Sequence, residues 1–246
     1  MNGIKTAAIN ELLKITAHKK YKLIIILSSL CIVGVAVMSW IPGSAWRFYM
    51  SNFPYTVLSA ITLILMPIVA FLLAYDLLAS EMESQLIKVS LTQPLSRAEI
   101  FMGKFAAMVI YVSCLVFLLT LLSSFLAILS GSFGFYNLGT LFFILLITIL
   151  PASMICSLAL LTACYMQTAV IGLLANLVIY AGLIILGYYT TSLYLLLPTS
   201  YMSIYKLLLN QQVLWSNLLI GLTVLTSYTL IFASAANMKF EELEVL

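Results

Sequence analysis

The chain has 246 residues, of which 64% are hydrophobic and only 8% charged, with a formal net charge of +3. A soluble domain carries about 25% charged residues, and no soluble core of this length hides so much apolar surface. The composition therefore excludes a soluble protein and gives an all-α, polytopic membrane protein.

The N-terminus does not read as a cleavable signal peptide, because the first apolar run starts late, at about Leu23, and no A-x-A site follows a short apolar stretch. Residues 3–18 are predicted to form an interfacial helix on the cytosolic leaflet, with Ile4, Ala8, Leu12 and Ile15 as its apolar stripe and Lys5, Glu11 and Lys14 on other faces. His18, Lys19, Lys20 and Lys22 then abut the first span, a positive-inside mark. Six spans follow, at about 23–40, 55–75, 104–129, 138–164, 169–188 and 213–236, each long enough for a hydrocarbon core of about 30 Å. Trp40, Trp46 and Trp215 suit aromatic belts. Pro67 and Pro151 lie inside spans two and four, where kinks are expected.

With the N-terminus inside, only Arg47 and Lys206 among the basic residues fall outside. That bias requires an even number of spans and puts both termini in the cytosol. Residues 189–212 are read as a pair of short re-entrant helices, because Pro198 interrupts them and a seventh span would carry the acidic tail outside. The four cysteines (Cys31, Cys114, Cys156 and Cys164) sit in apolar runs without a CxxC and read as small hydrophobes.

The segment Asp76–Lys104 collects charges between apolar runs: Asp76, Glu81, Glu83, Lys88, Arg97, Glu99 and Lys104. Leu78, Met82, Leu86 and Val89 recur at helical spacing, which predicts an amphipathic helix within a cytosolic loop at 76–103. Pro94 stops it. Ser96-Arg97-Ala98-Glu99 is a capping box, with Leu95 and Ile100 at the hydrophobic-staple positions, so span three has a defined start.

Ordinary enzyme chemistry is missing. There is no G-x-x-x-x-G-K-[ST] for a nucleotide, one aspartate, one histidine and no G-x-S-x-G. A lone His18 in a lysine cluster builds neither a metal site nor a triad. No ionisable residue falls at mid-membrane, which argues against a proton-coupled carrier. Asn176 is the costliest polar group within a span, and an interhelical hydrogen bond near Gly172, Ala175 and Gly182 is preferred for it over a substrate contact.

The run Glu81-Met82-Glu83-Ser84-Gln85-Leu86-Ile87-Lys88, then Leu91, Pro94-Leu95-Ser96-Arg97, Ile100 and Gly103-Lys104, resembles the permease subunits of ABC-2 type exporters. That family has an E-x-E-x-G-T-[LI]-x stretch, then P-[ILV]-S-R and [ILV]-x-x-[GA]-K. Gln85 and Leu86 depart from its usual Gly and Thr, which makes the helix here more continuous. The resemblance implies that the loop carries a coupling helix docking on a separate ATPase subunit, which would hold ATP and Mg while this chain holds no cofactor or metal. It implies Glu81, Glu83 and Lys88 as contacts or supports and Leu86 and Val89 as apolar anchor, while Ser96, Arg97, Glu99 and Lys104 serve the start of span three. It also implies a second permease copy, with a cargo path along spans one, two and five that offers Thr56, Ser59, Thr62, Asn176 and Tyr180. Such a lining suits a hydrophobic or amphipathic cargo, such as a peptide, an antibiotic or a lipid-like molecule; nucleic acid is not an expected partner. A membrane anchor or sensor that docks a soluble partner without transport uses the same loop and stays open as the alternative.

Overall fold

A computed structural model describes residues 2–40, 52–83, 96–130, 136–166, 169–189, 196–209 and 215–242. Among the described residues the secondary structure is helical, and six helices are long and apolar enough to cross a membrane. The N-terminal helix covers Asn2–Ala17 and breaks at His18. Span one is Lys19–Trp40, span three Arg97–Leu129, span four Tyr136–Tyr165, span five Ala169–Tyr189 and span six Trp215–Glu242. Spans two, three and four supply most of the interior, while spans one, five and six turn most of their surface outward. Span six packs along span four, and the N-terminal helix along the beginning of span three.

Six buried hydroxyls inside the bundle are satisfied by their own helices. Thr62, Thr120, Ser123, Thr148, Ser157 and Thr162 are buried, and each donates to a carbonyl three or four residues back in its own helix. In hydrocarbon no water can do this, so the helix backbone is the available acceptor.

Span two differs most from the sequence reading. That reading ends it at about residue 75, whereas the helix continues to Glu83 through two π-helical stretches, Ile61–Leu65 and Tyr75–Ala79. The helix expected after residue 75 is thus joined to span two without a break, and its Asp76 and Glu81 are each matched by a cation from elsewhere in the fold. The first π stretch leads directly into Pro67. An α-helix would bond the amide of residue 67 to the carbonyl of Leu63, and proline has no such amide. The Tyr180 hydroxyl of span five donates to that carbonyl instead, at 2.9 Å, and the Tyr180 ring stands edge-on to Phe71. A neighbouring helix thus repairs a bond that proline removes.

The repair can be checked. Tyr180→Phe keeps the ring contact and strands the carbonyl, which we expect to cost about 1–2 kcal/mol. Pro67→Ala returns an amide to that position, so adding it to Tyr180→Phe should recover part of the loss. Thermal aggregation midpoints in detergent for the two single variants and the double variant read this coupling, and simple additivity would argue against it.

The predicted pair of short helices before span six is represented by a 3-10 turn, Pro198–Tyr201, and a single α-turn, Lys206–Leu209. Tyr201, Met202, Ile204 and Tyr205 are buried. Gly221 of span six lets this segment close in: a Cβ there would lie 2.6 Å from Ile204 Cδ1 and 2.7 Å from Tyr201 Cδ1. Trp46, Arg47, Leu86, Lys88, Val89, Pro94 and Leu95, and the side chain of Glu83, lie outside what is described.

Candidate functional site

The neighbouring ends of spans one, two and three, with the N-terminal helix laid across them, hold a cluster of the fold's charges. Of the predicted stripe of the N-terminal helix, Ala8 and Ile15 are buried and Ile4 and Leu12 half-buried, while Ala7, outside that stripe, is buried too. Glu11 is the correction. It is placed away from the stripe in the sequence reading, yet positions 8, 11 and 15 follow helical a/d spacing and Glu11 is buried with its neighbours.

A buried carboxylate needs a cation, and Lys104 supplies it. Lys104 has no exposed surface, and its Nζ lies 3.0 Å from Glu11 Oε1 and 2.7 Å from Glu81 Oε2. Lys14 closes the ring from the rim, 3.1 Å from both Glu11 Oε1 and Glu81 Oε1. Burial by itself lowers the Lys14 pKa, but the carboxylates of Glu11 and Glu81 outweigh it and hold the pKa above the ordinary value. Two carboxylates and two ammonium groups therefore bind three elements together: the N-terminal helix, the end of span two and the start of span three.

Gly103 makes this approach possible. A Cβ at that position would lie 2.5 Å from Ala7 Cβ and 3.2 Å from the Ala7 carbonyl carbon and the Ala8 amide nitrogen. The Gly-Lys pair at the start of span three is thus one device, in which glycine admits the helix and lysine binds it.

A second cluster fixes the root of span one. Asp76 accepts from both Lys20 and the Tyr21 hydroxyl. Tyr21 is buried, packs edge-on against Tyr111 and receives the Tyr111 hydroxyl on its carbonyl at 3.4 Å.

Span three begins with the expected capping box. Ser96 Oγ accepts from the Glu99 amide at 3.2 Å, and Glu99 Oε2 accepts from the Ser96 amide at 3.0 Å. Arg97 reaches across to the Glu241 carbonyl at 2.7 Å, tying the end of span six to the same corner, where Phe101 stacks on Phe240. Ser96→Ala should cost about 1 kcal/mol, read as roughly fivefold faster hydrogen exchange at the amides of 97–100. Unchanged exchange would mean that the cap does not set this helix start.

The candidate path residues do not share one surface. Thr62 and Asn176 are buried within the chain, and Tyr180 is committed to Leu63. The Asn176 Oδ1 has no hydrogen-bond partner among the described residues, so the predicted interhelical bond of that atom is not made there. Ser59 is half-buried, beside the Tyr205 hydroxyl. Thr56 lines an apolar groove of about 640 Å³ between spans one and two, with Leu27, Cys31, Ile64 and Ile68.

A family profile described as ABC-2 family transporter protein matches residues 4–243. The chain belongs to the ABC-2 family. It is a multi-pass membrane component of an ABC transporter, and the Gly-Lys corner described above falls inside the matched region. Among curated proteins it is similar to the probable ABC transporter permease protein NosY of Stutzerimonas stutzeri, with 32% identity over 108 residues. That match covers 43% of this chain and spans 38% of NosY.

Proposed function

We propose that this chain is the permease subunit of an ATP-driven exporter. Two permease copies, or this chain and a related one, enclose the cargo path, and a separate ATPase subunit binds ATP and Mg. The segment 84–95, with Leu86 and Val89 as apolar anchor and Glu83 and Lys88 as polar contacts, is the docking surface. Both termini face the cytosol of the cell membrane, and the N-terminal helix lies along that leaflet.

The Lys104 network carries this reading. It fixes the helix entering segment 84–95 at Glu81 and the helix leaving it at Lys104, and clamps both to the N-terminal helix through Glu11. A push on the loop then moves three elements as one stiff body, as rigid-body transmission requires. Glu81 accordingly acts as a support for the docking surface rather than a contact on it. The nearly apolar groove at Thr56 supports a hydrophobic or amphipathic cargo such as a peptide, an antibiotic or a lipid-like molecule.

The test is purification from the native host in mild detergent with mass spectrometry of what stays bound. A stoichiometric chain carrying G-x-x-x-x-G-K-[ST] is the expected result. Recovery alone, or with a kinase or protease, would replace transport with a docking role.

A further inference from the structure

Span one has a different charge on each of its two flanks. Helical spacing places Lys20 above the groove shared with span two, where Asp76 neutralises it. Lys22 and Lys19 stand above the opposite groove, between spans one and three. Both are exposed, and neither has an anionic partner among the described residues. They also sit in the first turn of span one, which contains no acidic residue, so the positive end of the helix adds to their charge.

The groove beneath them measures about 630 Å³ and is apolar, walled by Ile25, Ile26 and Leu30 of span one and by Leu118, Leu121 and Phe125 of span three. It begins one helical turn below Lys22 and reaches Val33. At 1.5 Å per residue that lies about 16 Å below Lys22, close to the roughly 15 Å depth of one leaflet. Two exposed cations without an anionic partner among the described residues, over an apolar channel about one leaflet deep, match one molecule type: a phospholipid with a net negative headgroup. A zwitterionic lipid fills the channel equally well but brings a cation of its own to the lysines.

We propose that the groove between spans one and three is a binding site for an anionic phospholipid, its phosphate held by Lys19 and Lys22 and an acyl chain laid along Ile26, Leu30 and Leu121. The occupant seats the root of span one from the side opposite the Lys20–Asp76 pair.

The test uses the full chain, delipidated in detergent and titrated with phosphatidylglycerol or with phosphatidylcholine of the same acyl chains, bound lipid being counted by native mass spectrometry. Wild type is expected to retain one phosphatidylglycerol per protomer in preference to phosphatidylcholine. A lysine near an anionic surface contributes about fivefold in affinity, so Lys19→Gln with Lys22→Gln should weaken retention about 25-fold, while Lys5→Gln on the N-terminal helix should leave it unchanged. Leu121→Trp, which fills the channel and spares both lysines, should also displace the lipid. Equal retention of the two lipids, or undiminished phosphatidylglycerol on the double lysine variant, would overturn the site. So would a shift from dimer to monomer by Leu121→Trp without lipid loss, which would assign the groove to a second copy of this chain.

Discussion

Replacing Lys104 with methionine should be among the most damaging single changes at this end of the bundle. Methionine keeps most of the side-chain volume and removes the charge. Glu11 and Glu81 then face each other with only Lys14 from the rim, and Glu11 is already buried with its Oε2 unpartnered among the described residues. Removing one member of a buried ion pair costs about 3–5 kcal/mol, because the remaining charge loses its compensation. We expect a sharply lower thermal aggregation midpoint in detergent and a large loss of monodisperse protein. The triple variant Glu11→Gln, Glu81→Gln, Lys104→Met removes the whole buried set, and should recover much of the stability, since neutral replacement of a buried ionic cluster is often tolerated. A Lys104→Met protein as stable as wild type would show that the network does not hold the corner together.

The second large effect is expected at Gly103. The atoms that a side chain would meet there include the backbone of Ala7 and Ala8, which cannot rotate away as a flexible side chain can. Gly103→Leu should therefore lift the N-terminal helix from span three, withdrawing Glu11 and Lys14 from Lys104 and Glu81. Overpacking of this kind costs about 1–3 kcal/mol, which corresponds to at least about a fivefold rise in the open population. Trypsin applied to inside-out vesicles reads the opening directly, as faster cleavage after Lys5 and Lys14. Gly103→Ala should show the same change to a smaller degree. Cleavage at the wild-type rate in Gly103→Leu would place the helix elsewhere.

The two variants separate two contributions. Lys104→Met leaves the close approach intact and removes its charge compensation, whereas Gly103→Leu keeps every charge and removes the approach.

Much of this architecture is legible in the sequence, for physical reasons that also mark where legibility ends. Hydropathy finds the six spans because a lipid-crossing helix needs a long apolar run, whatever its neighbours are. The capping box at Ser96 and Glu99 is readable because both partners lie within four residues. Glu11 is different. Its partner Lys104 is 93 residues away, and nothing local distinguishes a carboxylate buried against a distant lysine from one facing water. The a/d spacing of Ala8, Glu11 and Ile15 is the available signal, and it becomes informative only once a buried acid is taken to demand a cation. The partners of Asp76 and Glu81 are hidden for the same reason, because Lys20, Lys14 and Lys104 are distant in sequence. Pro67 is readable as a disturbance, but not Tyr180, 117 residues from Leu63, as its remedy.

Segment 84–95 is the proposed surface through which an ATPase acts on the bundle. A photo-crosslinking amino acid placed at Leu86 or Val89 in the native host measures this most directly. Irradiation is predicted to give one major adduct, whose second chain carries G-x-x-x-x-G-K-[ST], and a probe placed at Ile64 in the apolar groove should give none. If the ATPase co-purifies but neither loop position captures it, the coupling surface lies elsewhere and the role assigned to the Lys104 corner is wrong.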